Sequence, residues 1–291
     1  IFLFTEMLHS SAIVNGDSSK LLEFDKSEHP VGLQLGGNEP KVLNQAIKIA
    51  SKFAYDEVNL NCGCPSSRVL AGNFGVALMR TPAVVADCIK AMKDGSDVRV
   101  SIKHRIGIDD NKDYEFVRDF VGKVRDAGCN LFYVHSRCAM SNLSPKKNRK
   151  IPPIDMLKVR LLKRDFPDCE FIANGELDSV AKCISILDRN EHLGLPGADG
   201  VMLGRAIWKF PTLLSELQKA FYPKKNIHSL RTIVENLEYY YNLQKNRGID
   251  TRRVGRGWVN LFNRQKGAKK WRIMLGEGLK PMEIYQSIFC S

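Results

Sequence analysis

The chain has 291 residues, 44% of them hydrophobic, enough to bury a full core and to fit one large domain with a smaller one. Its 44 Lys and Arg against 32 Asp and Glu give a formal charge of +12, which favours a polyanionic partner. Eight scattered cysteines exclude a disulfide scaffold, and no apolar run approaches the roughly 20 residues that cross a bilayer.

The charge is uneven. Residues 216–291 carry 15 basic and 6 acidic side chains, or +9, leaving 29 minus 26, or +3, for the first 215. Reduced cysteines point to a reducing compartment, so a soluble protein of the cytoplasm is expected, with an organelle left open. Ile1 is not a natural initiator, and a segment upstream of it, a targeting peptide included, is also left open. Cys62 and Cys64 form a C-x-C pair, but no second pair stands nearby to complete a zinc site, and no metal is expected.

In chain order, short apolar runs predict strands over Phe2–Thr5, Val31–Leu35, Glu57–Asn61, Arg99–Lys103, Leu131–His135, Glu170–Ala173 and Gly200–Leu203. Helices are expected between them, among them Pro40–Ala54, Pro82–Lys93 and Tyr114–Ala127. In the last, Phe116, Phe120, Val124 and Ala127 recur at helical spacing and predict the packed face. Alternating strands and helices imply an α/β fold with a parallel sheet.

Several strands end in polar residues: Gln34, Asn61, Lys103 with His104 and Arg105, His135 with Arg137, and Asn174. In a (β/α)8 barrel the strand C-termini form the active face, so these groups would converge on one mouth. The last two strands end in Asn174-Gly175 and Gly204-Arg205, which matches the phosphate site such barrels place after strands seven and eight. Seven strands are legible where the barrel needs eight, and this placement makes the first strand the missing one. The barrel is expected over residues 1–222.

Beyond Pro223 the pattern becomes all-helical, predicting a small basic bundle over 223–291. Ile233, Leu237, Tyr240 and Leu243 mark one helix; Val254, Trp258, Leu261 and Phe262 mark a second, starting near Thr251. Two more are expected over Lys269–Leu275 and Met282–Phe289. Arg252, Arg253 and Arg256 lie among the apolar positions, followed by Arg264, Lys266, Lys269, Lys270 and Arg272. Such cations suit a surface that follows phosphates.

The run Asn59-Leu60-Asn61-Cys62-Gly63-Cys64-Pro65-Ser66-Ser67-Arg68-Val69, followed by Gly72-Asn73-Phe74-Gly75 and Leu78-Met79, closely resembles the signature of the tRNA-dihydrouridine synthases. Lys103-His104-Arg105-Ile106-Gly107, His135-Ser136-Arg137, Leu143 to Arg149 and Ile151-Pro152-Pro153 resemble the subfamily that modifies uridines 20 and 20a of the D-loop. The resemblance extends from Thr5-Glu6-Met7 to Leu261–Arg272.

It implies a TIM barrel holding FMN, with NADPH as reductant and tRNA as substrate. Hydride would reach C6 of uracil from reduced FMN, and Cys64 would give the proton to C5. A thiol is mostly protonated at neutral pH and can serve as a general acid. Cys62 is the weaker candidate, a small strand-end residue. By the same resemblance Gln34, Asn61, Lys103 and His135 would surround the flavin ring, while Asn174, Gly175, Gly204 and Arg205 would hold its phosphate. Arg137 would contact the substrate, as would Arg252, Arg253 and Arg256 in the helical region. A monomer with no obligate protein partner is expected.

The chain departs from the family in three places. No strand with an Ala-Pro-Met-like motif stands at its start, Glu176 occupies a position where relatives often have glycine, and Cys138 and Met140 replace the usual Lys and Trp. Two rival readings are a small-molecule FMN oxidoreductase like dihydroorotate dehydrogenase, which would not need the basic helices, and an inactive tRNA-binding remnant.

Overall fold

The computed structural model describes residues 1–290. Seven strands form one curled parallel sheet in chain order: Leu3–His9 (β1), Val31–Gly36 (β2), Glu57–Cys62 (β3), Arg99–Arg105 (β4), Leu131–His135 (β5), Glu170–Asn174 (β6) and Gly200–Met202 (β7). All seven strands expected from the sequence are present. The sheet is an open half-barrel, and β1 and β7 are not paired with each other among the described residues. β1 runs four residues past the expected end at Thr5. Its register on β2 shifts between Phe4 and Met7, and there the Thr5 hydroxyl accepts from the Gln34 N–H at 3.1 Å, so the apolar alternation that marks a strand is interrupted.

Two compact units divide the chain. The first comprises Ile1–Gly175 with Ser185–Met202, and the second comprises Glu176–Ile184 with the chain from Leu203 onward. In the first, the helices between strands include Pro40–Ala50, Pro82–Gly95, Tyr114–Asp126 and Met156–Asp165. Pro40 and Pro82 open their helices where a missing N–H costs nothing. Asp155 caps the fourth through the Lys158 N–H.

Side chains alternate across a strand, and the two faces of this sheet differ in kind. Leu33, Leu35, Val58, Leu60, Ile102, Phe132, Val134, Phe171 and Ala173 are buried on one face, together with helix residues such as Ile47, Ile89 and Phe120. Each large aliphatic side chain there contributes about 1.5–3 kcal/mol. The stripe of Tyr114–Asp126 is Val117, Phe120, Val121 and Val124, with Phe116 only half-buried. Of the expected stripe, Phe120, Val124 and Ala127 are buried; only Phe116 gives way, to Val117, and Val121 widens the buried face. The other face of the sheet carries Gln34, Glu57, Asn59, Asn61, Ser101, Lys103, Tyr133, His135 and Asn174.

The second unit is helical from Arg205 onward: Arg205–Lys209, Leu213–Phe221, Leu230–Asn246, Thr251–Gly255, Ala268–Gly276 and Pro281–Phe289. Its core is Val234, Leu261, Phe262, Trp271, Leu275 and Ile284. The helix expected to run from Thr251 through Phe262 stops at Gly255. Gly255 and Gly257 weaken it, Arg264 and Gly267 adopt left-handed φ values of 68° and 86°, and turns carry Leu261 and Phe262 into the core. The Trp271 indole N–H closes this segment on the Trp258 carbonyl at 2.9 Å. Among the described residues, no helix is long and apolar enough to cross a membrane.

Candidate active site

β3 ends at Cys62, whose side chain is fully buried, with burial pushing its thiol well above the ordinary range. Two residues on, Cys64 is partly exposed. The Asn61 side chain turns back on the chain, and its Oδ1 accepts from the N–H groups of Gly63 at 3.1 Å and Cys64 at 2.9 Å. On the carbonyl side, Cys64 accepts from the Val76 N–H at 3.1 Å. Gly75 makes that approach possible: it has φ +60°, and a Cβ there would sit 2.7 Å from the Cys64 oxygen and 2.3 Å from Val69 Cγ1. The Cys64 backbone is thus held on both sides, while its Sγ lies 3.6 Å from Ser66 Oγ.

Asn61 belongs to a longer network on the polar face. Its Nδ2 donates to Gln34 Oε1 at 2.8 Å, Gln34 Nε2 donates to Asn59 Oδ1 at 2.9 Å, and Asn59 Nδ2 donates to Ser101 Oγ at 2.7 Å. Ser101 donates to Glu57, which also accepts from the Tyr133 hydroxyl at 3.1 Å. Burial raises the pKa of Glu57, opposed by these two hydrogen bonds, and raises that of Tyr133.

Lys103 pairs in register with Asn61 and Tyr133. Its side-chain partner is Asn174 Oδ1 at 3.5 Å, at the long limit of a hydrogen bond. Burial, followed by the nearby Arg105 cation, lowers its pKa to about 8. An ammonium so poorly satisfied fits an electron-rich partner at this end of the sheet. Asn174 donates to the Met202 carbonyl at 2.7 Å, and its own carbonyl accepts from the Ser136 N–H and hydroxyl. Gly175 follows at φ +132°, where a Cβ would lie 2.6 Å from Ser136 Oγ. His135 pairs in register with Asn174 and Arg105.

The neighbours of Lys103 divide by alternation. His104 belongs to the packed face, between Phe120 and Phe132 at 5.3 and 5.9 Å between ring centres, and burial lowers its pKa to about 4. Arg105 returns to the polar side, 3% exposed. Its Nε donates to the Gly63 carbonyl at 2.9 Å, and its Nη1 to the carbonyls of Cys138 and Asn148 at 3.3 and 3.4 Å. Burial, then the nearby Arg137 cation, lowers its pKa to about 10.

Arg137 is 2% exposed, and its Nη1 donates to the carbonyls of Lys150 and Pro152. These contacts support the loop after β5. Fully buried Asn148 organises the same loop, donating to the carbonyls of Met140 at 2.7 Å and Leu143 at 2.8 Å while accepting from the Met140 N–H. Lys146, Lys147 and Arg149 stand exposed around it.

The structure therefore brings Gln34, Asn61, Lys103, His135, Asn174 and Gly175 to one sheet, with Cys64 one turn beyond Asn61. Gly204 and Arg205 belong to the second unit, exposed at the start of Arg205–Lys209. Arg252, Arg253 and Arg256 are exposed in that unit too, with Arg252 Nε 3.3 Å from Asp250. Arg105 was among the strand-end groups expected at the mouth, whereas Glu57, Asn59, Ser101 and Asn148 escaped the sequence reading as site residues. Counting every second position along the strands would have found the first three of these four. Among the described residues no group of three His, Cys, Asp or Glu side chains could hold a metal.

Comparison with known proteins agrees with this geometry. The family model described as Dihydrouridine synthase matches residues 1–288. A "tRNA-dihydrouridine(20/20a) synthase" of Pseudomonas putida is 42% identical over 289 residues, covering 97% of this chain and 84% of its own. Proteins of the same name from Vibrio vulnificus and Xanthomonas campestris are 42% and 39% identical, covering 94% and 95% of this chain and 82% and 80% of their own. The thiol-bearing loop, the amide network below it and the match along nearly all of the sequence lead to one conclusion: the chain belongs to the dihydrouridine synthase family.

Proposed function

We propose that this chain reduces the C5–C6 double bond of a D-loop uridine in tRNA, at position 20 or 20a, using FMN and NADPH. The observation that carries this reading is Cys64, a partly exposed thiol fixed through Asn61 beside the polar strand ends of Gln34, Lys103 and Asn174. The sheet is read as the wall of a (β/α)8 barrel, and residues 223–291 as a helical bundle that holds RNA. The protein is proposed to act as a monomer.

The poorly satisfied ammonium of Lys103 fits a flavin whose electron-rich edge accepts from it. Gln34, Asn61, Lys103 and His135 would hold the ring, and Asn174 and Gly175 would serve the phosphate. When bound, FMN supplies hydride for C6 of the uracil.

The chain's own residues supply the rest. Cys64 Sγ–H gives its proton to C5, and the thiolate is reprotonated from solvent. Asn61 and Val76 keep the Cys64 backbone from drifting, so the thiol's position is set before substrate arrives. The base has to leave its stack, which costs a few kcal/mol. Contacts from Lys146, Lys147 and Arg149, and from Arg252, Arg253 and Arg256, offset that cost.

The test is direct. Purified protein given FMN, NADPH and tRNA lacking dihydrouridine should add to the RNA the mass of one hydride and one proton. Flavin binding with no gain in RNA mass, in the presence of turnover on a small pyrimidine, would replace this reading with that of a small-molecule oxidoreductase. RNA binding without flavin would indicate the inactive remnant.

A further inference from the structure

Five side chains on the polar face form a hydrogen-bond chain whose direction is fixed at one end by the backbone. The N–H groups of Gly63 and Cys64 can only donate, so Asn61 presents Oδ1 to them at 3.1 and 2.9 Å. Its Nδ2 then faces Gln34, which answers with Oε1; Gln34 Nε2 faces Asn59, which answers with Oδ1. Asn59 Nδ2 in turn faces Ser101 Oγ, which accepts. The single hydroxyl hydrogen of Ser101 is left for Glu57 Oε1, which has to accept it. No step leaves a choice of amide orientation, because reversing any one amide would set donor against donor at one of its own links, and reversing all three would do so at the Cys64 loop.

We propose that Glu57 is a positioning residue: as the terminal acceptor of this chain it fixes the direction of three amides and thereby anchors the Cys64 loop. The carboxylate suits the task. It is 2% exposed, and its second oxygen accepts from Tyr133, so both of its oxygens act as acceptors. The chain passes between β3, β4 and β2, tying to one carboxylate the strands that carry Asn61, Lys103 and Gln34. A proton on Glu57 Oε1, or the loss of the Ser101 hydroxyl, removes the only arrangement in which every link is satisfied. The Asn61 amide is then free to turn away from the loop.

The link from this anchoring to turnover rests on Cys64 as proton donor, whereas the anchoring itself does not. Amide hydrogen exchange measured on the full chain separates the two. In Ser101→Ala, and in Glu57→Leu where it folds, exchange at Gly63 and Cys64 is expected to quicken about tenfold, as for loss of one hydrogen bond, with Leu60 and Ile102 unchanged. Glu57→Gln is expected to stay within about twofold of wild type, because its amide oxygen still accepts from Ser101 while its nitrogen donates to the Tyr133 oxygen. Turnover on tRNA should fall in Ser101→Ala through kcat, with KM for RNA unchanged. Wild-type exchange at Gly63 and Cys64 in Ser101→Ala overturns the proposal, as does quickening spread equally over the sheet. So does a Glu57→Gln protein as impaired as Glu57→Leu. Selective quickening with unchanged turnover supports the anchoring and removes Cys64 from its proposed role.

Discussion

Arg105 donates to the Gly63 carbonyl at 2.9 Å, one residue before Cys64, while its Nη1 reaches the carbonyls of Cys138 and Asn148. One buried guanidinium thus holds two loops, the one with the thiol and the one that displays Lys146, Lys147 and Arg149. A planar fork can serve carbonyls in different directions, which an ammonium on a flexible stem cannot do equally well. Arg105→Met leaves these carbonyls without their donor and should cost about 2–4 kcal/mol in urea unfolding. Arg105→Lys should recover less than half of that loss.

Cys64→Ala should bind FMN and accept electrons from NADPH at close to the wild-type rate, because the thiol is not assigned to holding the cofactor. Transfer to tRNA should fall by a factor on the order of 100 to 10,000, the usual contribution of a positioned general acid. Stopped-flow flavin reduction and the mass of the tRNA read the two halves separately. A variant that modifies tRNA at wild-type speed would strip Cys64 of its role.

Lys103 has its native pKa at about 8, below its ordinary 10.5, so between those values the unfolded chain binds more protons than the folded one. Stability of the flavin-free protein should therefore rise with pH across that window. Lys103→Met removes the slope and should gain about 1–2 kcal/mol near pH 7 while weakening FMN binding at least about tenfold. Denaturant titrations from pH 7 to 10, with FMN fluorescence, test both.

His104 titrates at about 4 in the folded chain against 6.5 ordinarily, so acid favours the unfolded state between those values. Moving from pH 7 to pH 4.5 should cost the wild type about 2 kcal/mol more than it costs His104→Phe. Equal acid sensitivity would mean that the imidazole between Phe120 and Phe132 is already protonated or hydrated.

The three arginines near residue 250 are not equivalent. Arg252 is paired with Asp250, whereas Arg253 and Arg256 have no ion-pair partner among the described residues. Arg253→Ala and Arg256→Ala should each lower the slope of log binding constant against log salt by about 0.7–0.9, and Arg252→Ala by less. Filter-binding titrations with tRNA between low and moderate salt give the slopes.

Legibility in the sequence followed the physics of each element. All seven strands were readable because β-branched and apolar runs between helices carry a strong periodic signal, and β1 was shortened only where its register breaks after Phe4. Cys64 and Asn61 were readable from a dense local motif. Glu57 and Ser101 were not, since a buried polar residue inside a strand looks like a weak strand position until its partners across the sheet are known. Arg137 drew attention as a charge, and only the fold shows its guanidinium directed to the Lys150 and Pro152 carbonyls. The helix past Gly255 failed because Trp258, Leu261 and Phe262 keep a helical spacing by chance while turns deliver them to the core.

Because the polar side chains of β2 to β5 answer to one another and the apolar ones between them answer to helices, mutational drift on the two sides is decoupled. An exchange of Ile for Leu on the packed side leaves the amides where they were, so thermal tolerance can be tuned without retraining the chemistry. The polar side has less slack: its members share hydrogens in sequence, so the loss of one amide leaves its neighbour without a partner.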